Sequence, residues 1–215
     1  MIYALKNADF IRITDENALF YGGAQSWFAD GFSQNGGCGV VAAANILAYL
    51  ALSDEKYSAL YPKKTFSKSD FTAFMTEIQD FVRIRNFFGK PLGVWGKRRF
   101  ERGVLSYAKS RGIELSAASA KCKGAADFIK ASLLEDKPVA MLIGLNNRLK
   151  KVRCEYPSGG AVFGSFERHW VTITELIADG EKIMLKVSSW GAAAYIELSD
   201  FIEGERLYSA LISFK

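Results

Sequence analysis

Apolar residues in the first half of the chain recur with the spacing of amphipathic helices. The pattern is clearest over 68–85, where three- and four-residue steps define one apolar face and Ser67 or Ser69 can cap the start. The members of that face are Phe71, Phe74, Met75, Ile78, Phe81 and Val82. Further helices are predicted over 40–52, 100–110 and 125–134.

The second half of the chain has the short apolar runs and turn residues that are typical of strands. Strands are predicted over 138–144, 170–177, 182–187, 195–198 and 207–214. Asp179-Gly180 supplies a hairpin turn between two of them. A glycine-rich stretch over 146–168 is predicted to be irregular, and connections of that length are often functional.

This order of elements, with helices first and strands afterwards, predicts an α+β fold rather than a wound α/β sheet. The length of 215 residues fits a single domain over 1–215. We expect that domain to have a mainly helical lobe over about 1–135 and a mainly β lobe over about 136–215.

Composition excludes several classes of protein. Hydrophobic residues make up 49% of the chain and charged residues 24%, as in folded globular domains and unlike disordered chains. The net charge of +5 is modest and no nucleic-acid-binding module accompanies it, so we expect no nucleic-acid partner. Two basic clusters, 97–102 and 148–153, are interpreted as solvated surface, although the second precedes a candidate site and could favour acidic substrates.

Cysteine and histidine content limits the metal and redox chemistry. Cys38, Cys122 and Cys154 are an odd number without a CxxC pair, which argues against a disulfide framework and against a zinc site. A single histidine, His169, excludes a multi-histidine metal site. We therefore expect neither a metal nor a cofactor.

Targeting and membrane signals are weak. The N-terminal segment mixes charged residues among its apolar ones, whereas a secretory signal has an unbroken apolar core. The longest apolar run, 40–52, is too short to span a membrane. These features predict a reduced, cytoplasmic protein without a membrane partner, and the sequence gives no indication of its oligomeric state.

Cys38 is the strongest candidate for a reactive residue. It stands between Gly37 and Gly39, directly before the Ala-rich helix predicted over 40–52. A thiol at a helix N-terminus lies near the positive end of the helix dipole, which lowers its pKa and favours the thiolate. Backbone N–H groups at the same place can bind an oxyanion. The alternative interpretation is a small buried hydrophobe, as most free cysteines are.

His169 ends the glycine-rich stretch and opens the strand predicted over 170–177. A rigid element at a junction of loop and strand can hold a general base in place. A lone histidine is more often an ordinary packing residue, so His169 is a candidate catalytic residue only in combination with Cys38.

Three short motifs occur in order along the chain. They are Gly37-Cys38-Gly39 opening a helix, His169-Trp170-Val171 opening a strand, and Ser189-Trp190-Gly191 before a short strand. This set resembles the papain-like cysteine peptidases, in which the later catalytic residues follow the cysteine by roughly 130–150 residues. In size the chain is most similar to their compact bacterial branch, the leader peptidases of bacteriocin exporters and their relatives.

The resemblance implies a papain-like fold in which a helical lobe carrying Cys38 packs against an antiparallel β-sheet lobe carrying His169. It also implies acyl transfer, with Cys38 as the nucleophile and His169 as its ion-pair partner and proton donor. The oxyanion would be bound by the Cys38 N–H and a glutamine side chain. Where the family has that glutamine this chain has Phe32, so Gln34 is the first candidate and Gln25 the second.

The third catalytic position departs from the family. The resemblance implies Asn or Asp shortly before the Trp-Gly turn, and alignment on that turn puts Ser188 there. A hydroxyl accepts a hydrogen bond from imidazole more weakly. We expect a cysteine-dependent hydrolase, a peptidase or amidase acting on a peptide or small amide. The alternatives are a papain-like module with weak or no catalysis that binds or regulates, and a thiol acyltransferase on the same fold.

Overall fold

The computed structural model describes residues 1–204 and 208–215. Its strands are β1 (Ile2–Ala4), β2 (Arg12–Asp15), β3 (Ala18–Tyr21), β4 (Asn86–Phe87), β5 (Lys90–Pro91), β6 (Ala117–Ala120), β7 (Val139–Ile143), β8 (Val152–Glu155), β9 (Ala161–Gly164), β10 (His169–Asp179), β11 (Lys182–Ser189), β12 (Ala192–Glu197) and β13 (Ala210–Phe214). Within the described residues nine of them form one antiparallel sheet, in the order β6-β13-β7-β10-β11-β12-β8-β9, with β1 also beside β10. The pairs β2–β3 and β4–β5 form two separate hairpins.

The helices pack around this sheet. They are α1 (Gly31–Gly36), α2 (Cys38–Ser53), α3 (Lys68–Gln79), α4 (Lys97–Ser110), α5 (Ala125–Leu134) and α6 (Leu198–Ile202), and 3₁₀ turns occupy Gln25–Trp27, Glu55–Leu60 and Asn147–Leu149. In the described part of the chain, none of these helices combines the length and the apolarity needed to cross a membrane.

Strand β10 has neighbours along both of its edges. Residues 169–173 pair with β7, the later residues pair with β1, and β11 runs along the other edge. A register shift interrupts the β10–β11 ladder between Ile173 and Glu175. The first residue of β10 is His169, so the surrounding strands fix the position of this side chain.

Helix α2 lies in the interior, packed against β10. Every residue from 38 to 50 is buried, because the segment consists almost entirely of small and apolar residues. The one amide in that stretch, Asn45, accepts a hydrogen bond from the Gly23 N–H (2.9 Å) and donates one to Ser188 (3.3 Å). The buried amide is thereby satisfied, as buried polar groups generally are.

The α+β class and the large antiparallel sheet are confirmed, and so are the helix after Cys38 and the helix over 125–134. Helix α3 is shorter than the predicted 68–85, because the N–H of Asp80 turns back onto the carbonyls of the last turn. Ser67 caps its start, with its Oγ 3.2 Å from the Asp70 N–H.

The division into a helical and a β lobe is less sharp than predicted. Six short strands, β1 to β6, lie in the first 135 residues, and β1 and β6 belong to the main sheet. Each has only two to four residues, which is too few for a period-two pattern to stand out.

The structure also differs from two predictions for the second half of the chain. The stretch over 146–168 contains β8 and β9, and in β8 the buried Val152 and Cys154 alternate with charged residues. The last strand was predicted to begin at Leu207, which lies outside the described residues; the described strand β13 begins at Ala210.

Candidate active site

Cys38 is the first residue of α2, as the sequence predicts. Its N-cap, Gly37, has no side chain to satisfy the free N–H groups of the first turn. Gly39 permits a close approach, since a Cβ there would lie 2.7 Å from the side chain of Val94 and 3.1 Å from that of Trp170. The start of the helix is therefore pressed against β10, where Trp170 follows His169.

His169 is buried at the start of β10, with only 6% of its surface exposed. Its ring packs against Phe166, at a centroid distance of 5.2 Å, and against Trp190, at 4.8 Å. Arg168, directly before it, has a left-handed backbone (φ 51°), and its N–H donates to the Gly144 carbonyl at 3.1 Å. Such a conformation is uncommon for a residue other than glycine, and it is enriched at functional sites.

The imidazole of His169 has a serine as its hydrogen-bond partner, but it is not the serine that was predicted from the sequence. The Nε2 atom of His169 lies 2.7 Å from the Oγ of Ser189. The expected position of Ser188 beside the imidazole is wrong, because its Oγ donates to the Tyr21 carbonyl at 2.7 Å.

The strand register explains this difference of one residue. Ser188 lies opposite Thr172 in the β10–β11 ladder, so it shares a face with Thr172 and Trp170. Neighbouring residues on a strand point to opposite faces, which puts Ser189 on the face of His169. The alignment on the Trp-Gly turn is therefore off by one residue, and the register shift between Ile173 and Glu175 accounts for it.

The glutamine assignment also changes. Gln34, the first candidate for the oxyanion site, is exposed, its side-chain amide donates to the Phe28 carbonyl at 2.7 Å, and it lines neither of the cavities beside Cys38. The side chain of Gln25 lines a cavity together with Cys38 and His169. It is held there by a hydrogen bond of 2.6 Å from its Nε2 to the main-chain carbonyl of Gln34.

This cavity is small, about 10 Å³, which is close to the space that one water molecule needs. Besides Cys38, His169 and Gln25, its walls include Ser188 and Ser189. Among the described residues no hydrogen bond joins the Cys38 thiol to the His169 imidazole. The two groups line the same space without being bonded to each other.

Cys38 also lines a much larger cleft of about 530 Å³. The cleft has mainly apolar walls, which include Phe87, Leu92, Val94, Trp95, Leu142, Ile143, Trp170 and Tyr208. One wall is fixed to the sheet, because the Trp170 indole N–H donates to the Val94 carbonyl at 3.0 Å. Cys38 and Trp170 line both cavities, so the two cavities adjoin at the start of α2.

Burial governs the protonation of the two candidate groups. Burial raises the pKa of the Cys38 thiol, and the N–H groups of Trp170, Gly39 and Cys38 itself offset this only in part. Burial lowers the pKa of His169 to about 3. The expected lowering of the Cys38 pKa by the helix N-terminus is thus outweighed by desolvation. At neutral pH the two groups are a thiol and a neutral imidazole, not an ion pair.

The other two cysteines lie outside both cavities. Cys154 is buried in β8, and burial raises the pKa of its thiol to about 12. Cys122 is half-buried. Neither residue begins a helix, so Cys38 alone among the three combines a helix N-terminus with a cleft.

The basic cluster over 148–153 is partly neutralised by acidic neighbours. Arg148 forms ion pairs with Asp200 and Glu203, and Arg153 pairs with Glu155 at 3.2 Å. Its arginines are therefore already engaged, which weakens the interpretation that this cluster selects acidic substrates.

A scan of the chain against protein-family models finds no match, and a search among curated proteins finds none either. Within the part of the chain that is described, no three His, Cys, Asp or Glu side chains come together as a metal ion would require. An assignment of function therefore depends on the residues and the geometry of this chain.

Two features of the site were not predicted from the sequence. Ser189 could not be found from strand alternation alone, because an unbroken register counted from the hairpin turn would pair Thr172 with Ser189 and put Ser188 on the face of His169. The register shift between Ile173 and Glu175 exchanges the two serines, and the sequence carries no clear signal of it. The cleft itself could not be found, since its walls come from elements that are far apart in the chain. Arg85 and Arg168, which both line it, carry no local signal of that role.

Proposed function

We propose that the protein is a cysteine-dependent acyl-transfer hydrolase, a peptidase or amidase of papain-like fold. One observation carries the proposal: Cys38, at the N-terminus of α2, lines both a 530 Å³ cleft and a small cavity that it shares with the hydrogen-bonded His169 and Ser189. A nucleophile that borders both a substrate-sized cleft and an oriented base is the arrangement that acyl transfer needs. Three unpaired cysteines fit a reducing, cytoplasmic setting.

The first half of the reaction forms a thioester. His169 accepts the proton of the Cys38 thiol while the sulfur attacks the carbonyl carbon of a bound amide. The tetrahedral intermediate then breaks its C–N bond, and the imidazolium returns the proton to the departing amine. The acyl group remains bonded to the sulfur.

The second half restores the enzyme. A water molecule attacks the thioester while His169 accepts one of its protons. The C–S bond breaks, the acid leaves, and the imidazolium protonates the departing sulfur. The reaction consumes one amide and one water and yields one amine and one acid.

The Cys38 thiol and the His169 imidazole are both neutral before substrate is attacked. His169 therefore acts in this scheme as a general base during the attack, not as the partner of a preformed thiolate. The active tautomer carries its proton on Nε2, which donates to the Ser189 hydroxyl and leaves Nδ1 to accept from the thiol. Ser189 is thus an orienting residue and has no part in bond making.

The oxyanion is bound by two donors in this proposal. One is the main-chain N–H of Cys38, which is free because it lies in the first turn of α2. The other is the side chain of Gln25, which donates one amide hydrogen to the Gln34 carbonyl and has a second one available.

A second candidate function, a binding module without catalysis, is favoured by two observations. Burial keeps the thiol protonated, and the orienting group behind the imidazole is a neutral hydroxyl instead of an amide or a carboxylate. In that case the cleft binds a peptide-like ligand that Cys38 never attacks.

Turnover assays distinguish the two candidates. A panel of fluorogenic dipeptide amides is incubated with the wild type, Cys38→Ser and Cys122→Ser, the last being the matched control. Hydrolysis that is lost only in Cys38→Ser supports the hydrolase. Hydrolysis that persists in Cys38→Ser contradicts it, and binding of the amides without any hydrolysis in the wild type favours the module.

A further inference from the structure

The cleft beside Cys38 exposes more aromatic surface than a folded chain usually leaves open. Phe87 is 52% exposed, Trp95 42% and Tyr208 43%, and the rings of Trp95 and Tyr208 meet edge to face at 5.1 Å. All three line the cleft. A concave cluster of this kind is typical of a surface that buries an apolar ligand group.

Two arginines give the same cleft a positive charge. Arg85 and Arg168 line it, and within the described residues neither forms an ion pair with a carboxylate. The guanidinium of Arg85 lies over the ring of Trp95, 5.4 Å from its centroid. None of the described residues that line the cleft is Asp or Glu.

We propose that the cleft selects peptide-like substrates in which a carboxylate stands close to a large apolar side chain. This inference deepens the proposed acyl-transfer function and rests on it. The aromatic rings hold the apolar side chain, and the arginines hold the carboxylate. Cys38, at the wall of the cleft, meets the carbonyl group between them.

The chemistry of the walls favours a carboxylate over a cation or a neutral polar group. Guanidinium groups bind carboxylates through paired N–H donors, and the apolar surroundings strengthen that attraction. A cationic side chain would meet two positive charges and no compensating acid among the described lining residues. The volume of about 530 Å³ suits a ligand of a few residues.

Binding measurements on a protein that cannot react test this selectivity separately from catalysis. Cys38→Ala protein is titrated calorimetrically with N-acetyl-phenylalanine, which has a carboxylate, and with N-acetyl-phenylalaninamide, which has none. The same pair of probes is applied after the further substitutions Arg85→Gln, Arg168→Gln and both together. Arg83→Gln, which removes a nearby exposed arginine outside the cleft, is the matched control.

The carboxylate probe is expected to bind about tenfold more tightly than the amide probe. Each arginine substitution should reduce that ratio by about three- to fivefold, and the double substitution should bring it close to one, because exposed or partly exposed ion pairs are individually weak. Arg83→Gln should leave the ratio unchanged. Trp95→Ala should weaken both probes alike.

Equal binding of the two probes, no detectable binding of either, or a ratio that survives the double substitution would overturn the inference. A protein that keeps this ratio but shows no turnover would contradict the proposed hydrolase and leave the selectivity standing. Turnover that depends on Cys38 without any preference for the carboxylate would contradict the selectivity alone.

Discussion

The Nε2 atom of His169 lies 2.7 Å from the Oγ of Ser189, and the pair is enclosed by Phe166 and Trp190. Trp190, which follows this serine, has a left-handed backbone (φ 53°). The strand that carries Ser189 therefore ends in a strained turn directly beside the imidazole. This contact engages one ring nitrogen, Nε2, and in the proposed mechanism the other, Nδ1, takes part in proton transfer.

The two neighbouring serines should differ in what their removal changes. Ser189→Ala is expected to lower kcat by roughly two- to tenfold with little change in KM, because a neutral hydrogen bond contributes about 0.5–1.5 kcal/mol. Ser188→Ala should instead lower the free energy of unfolding by about 1–2 kcal/mol, since its hydroxyl joins Tyr21 and Asn45 in the interior. Steady-state kinetics and urea unfolding of both variants measure the two effects. A larger loss of kcat in Ser188→Ala would refute the orienting role of Ser189.

The two glutamines provide a matched pair for the oxyanion site. Gln25→Ala is expected to reduce kcat by about 10²–10³-fold, as the loss of one oxyanion donor does elsewhere. Gln34→Ala keeps the main-chain carbonyl that holds Gln25 and removes only an exposed side chain, so kcat should stay within about twofold. Kinetics on one amide substrate decide the assignment, and equal losses in the two variants would exclude Gln25 from this role.

Stability should depend on pH through His169. Burial lowers its pKa to about 3 in the folded protein, whereas the unfolded chain has the ordinary value of about 6.5. Below pH 6.5 the unfolded state therefore binds a proton that the folded state does not. The stability present above that pH is lost as the pH falls toward 3, by up to about 1.4 kcal/mol per pH unit.

His169→Gln isolates this contribution, because the carboxyl groups titrate alike in both proteins. Urea unfolding between pH 7 and pH 4 should show a steeper loss of stability in the wild type than in the variant. Parallel curves would mean that the folded protein binds the proton at His169 as readily as the unfolded chain.

Packing at the start of α2 can be tested with two glycines. Gly39→Ala should lower the free energy of unfolding by about 1–3 kcal/mol, because the new methyl group would overlap the side chain of Val94. Gly31→Ala adds the same methyl group where no atom lies within 4 Å, so unfolding should change little. Thermal or urea unfolding compares the two, and similar losses in both would contradict the close packing.

The local pattern of the chain was sufficient to place the two candidate reactive residues at the start of their elements. The Ala-rich run after Cys38 and the apolar run after His169 are long enough for their periodicity to determine the type of element. Strands of three or four residues, such as β1 and β6, lack that signal and form because the main sheet offers them a partner.

What the sequence could not supply was the relation between distant segments. The change from Gln34 to Gln25 depends on how a 3₁₀ turn folds back onto α1, and the cleft depends on Arg85, Trp95 and Tyr208 meeting at one wall. The protonation states also required the structure, because a helix N-terminus lowers a thiol pKa only where burial does not outweigh it.

Single-turnover acylation tests whether Cys38 and His169 act as a catalytic pair. Wild type and His169→Ala are mixed with p-nitrophenyl acetate at pH 7, the release of p-nitrophenolate is followed, and intact mass with peptide mapping locates the acyl group. We predict one acyl group per chain, on Cys38. Acylation should be about 10²–10⁴-fold slower in His169→Ala than in the wild type, because general-base catalysis accelerates a reaction by about that factor. Acylation spread over Cys122 and Cys154, or an equal rate in the two proteins, would contradict a catalytic pair of Cys38 and His169.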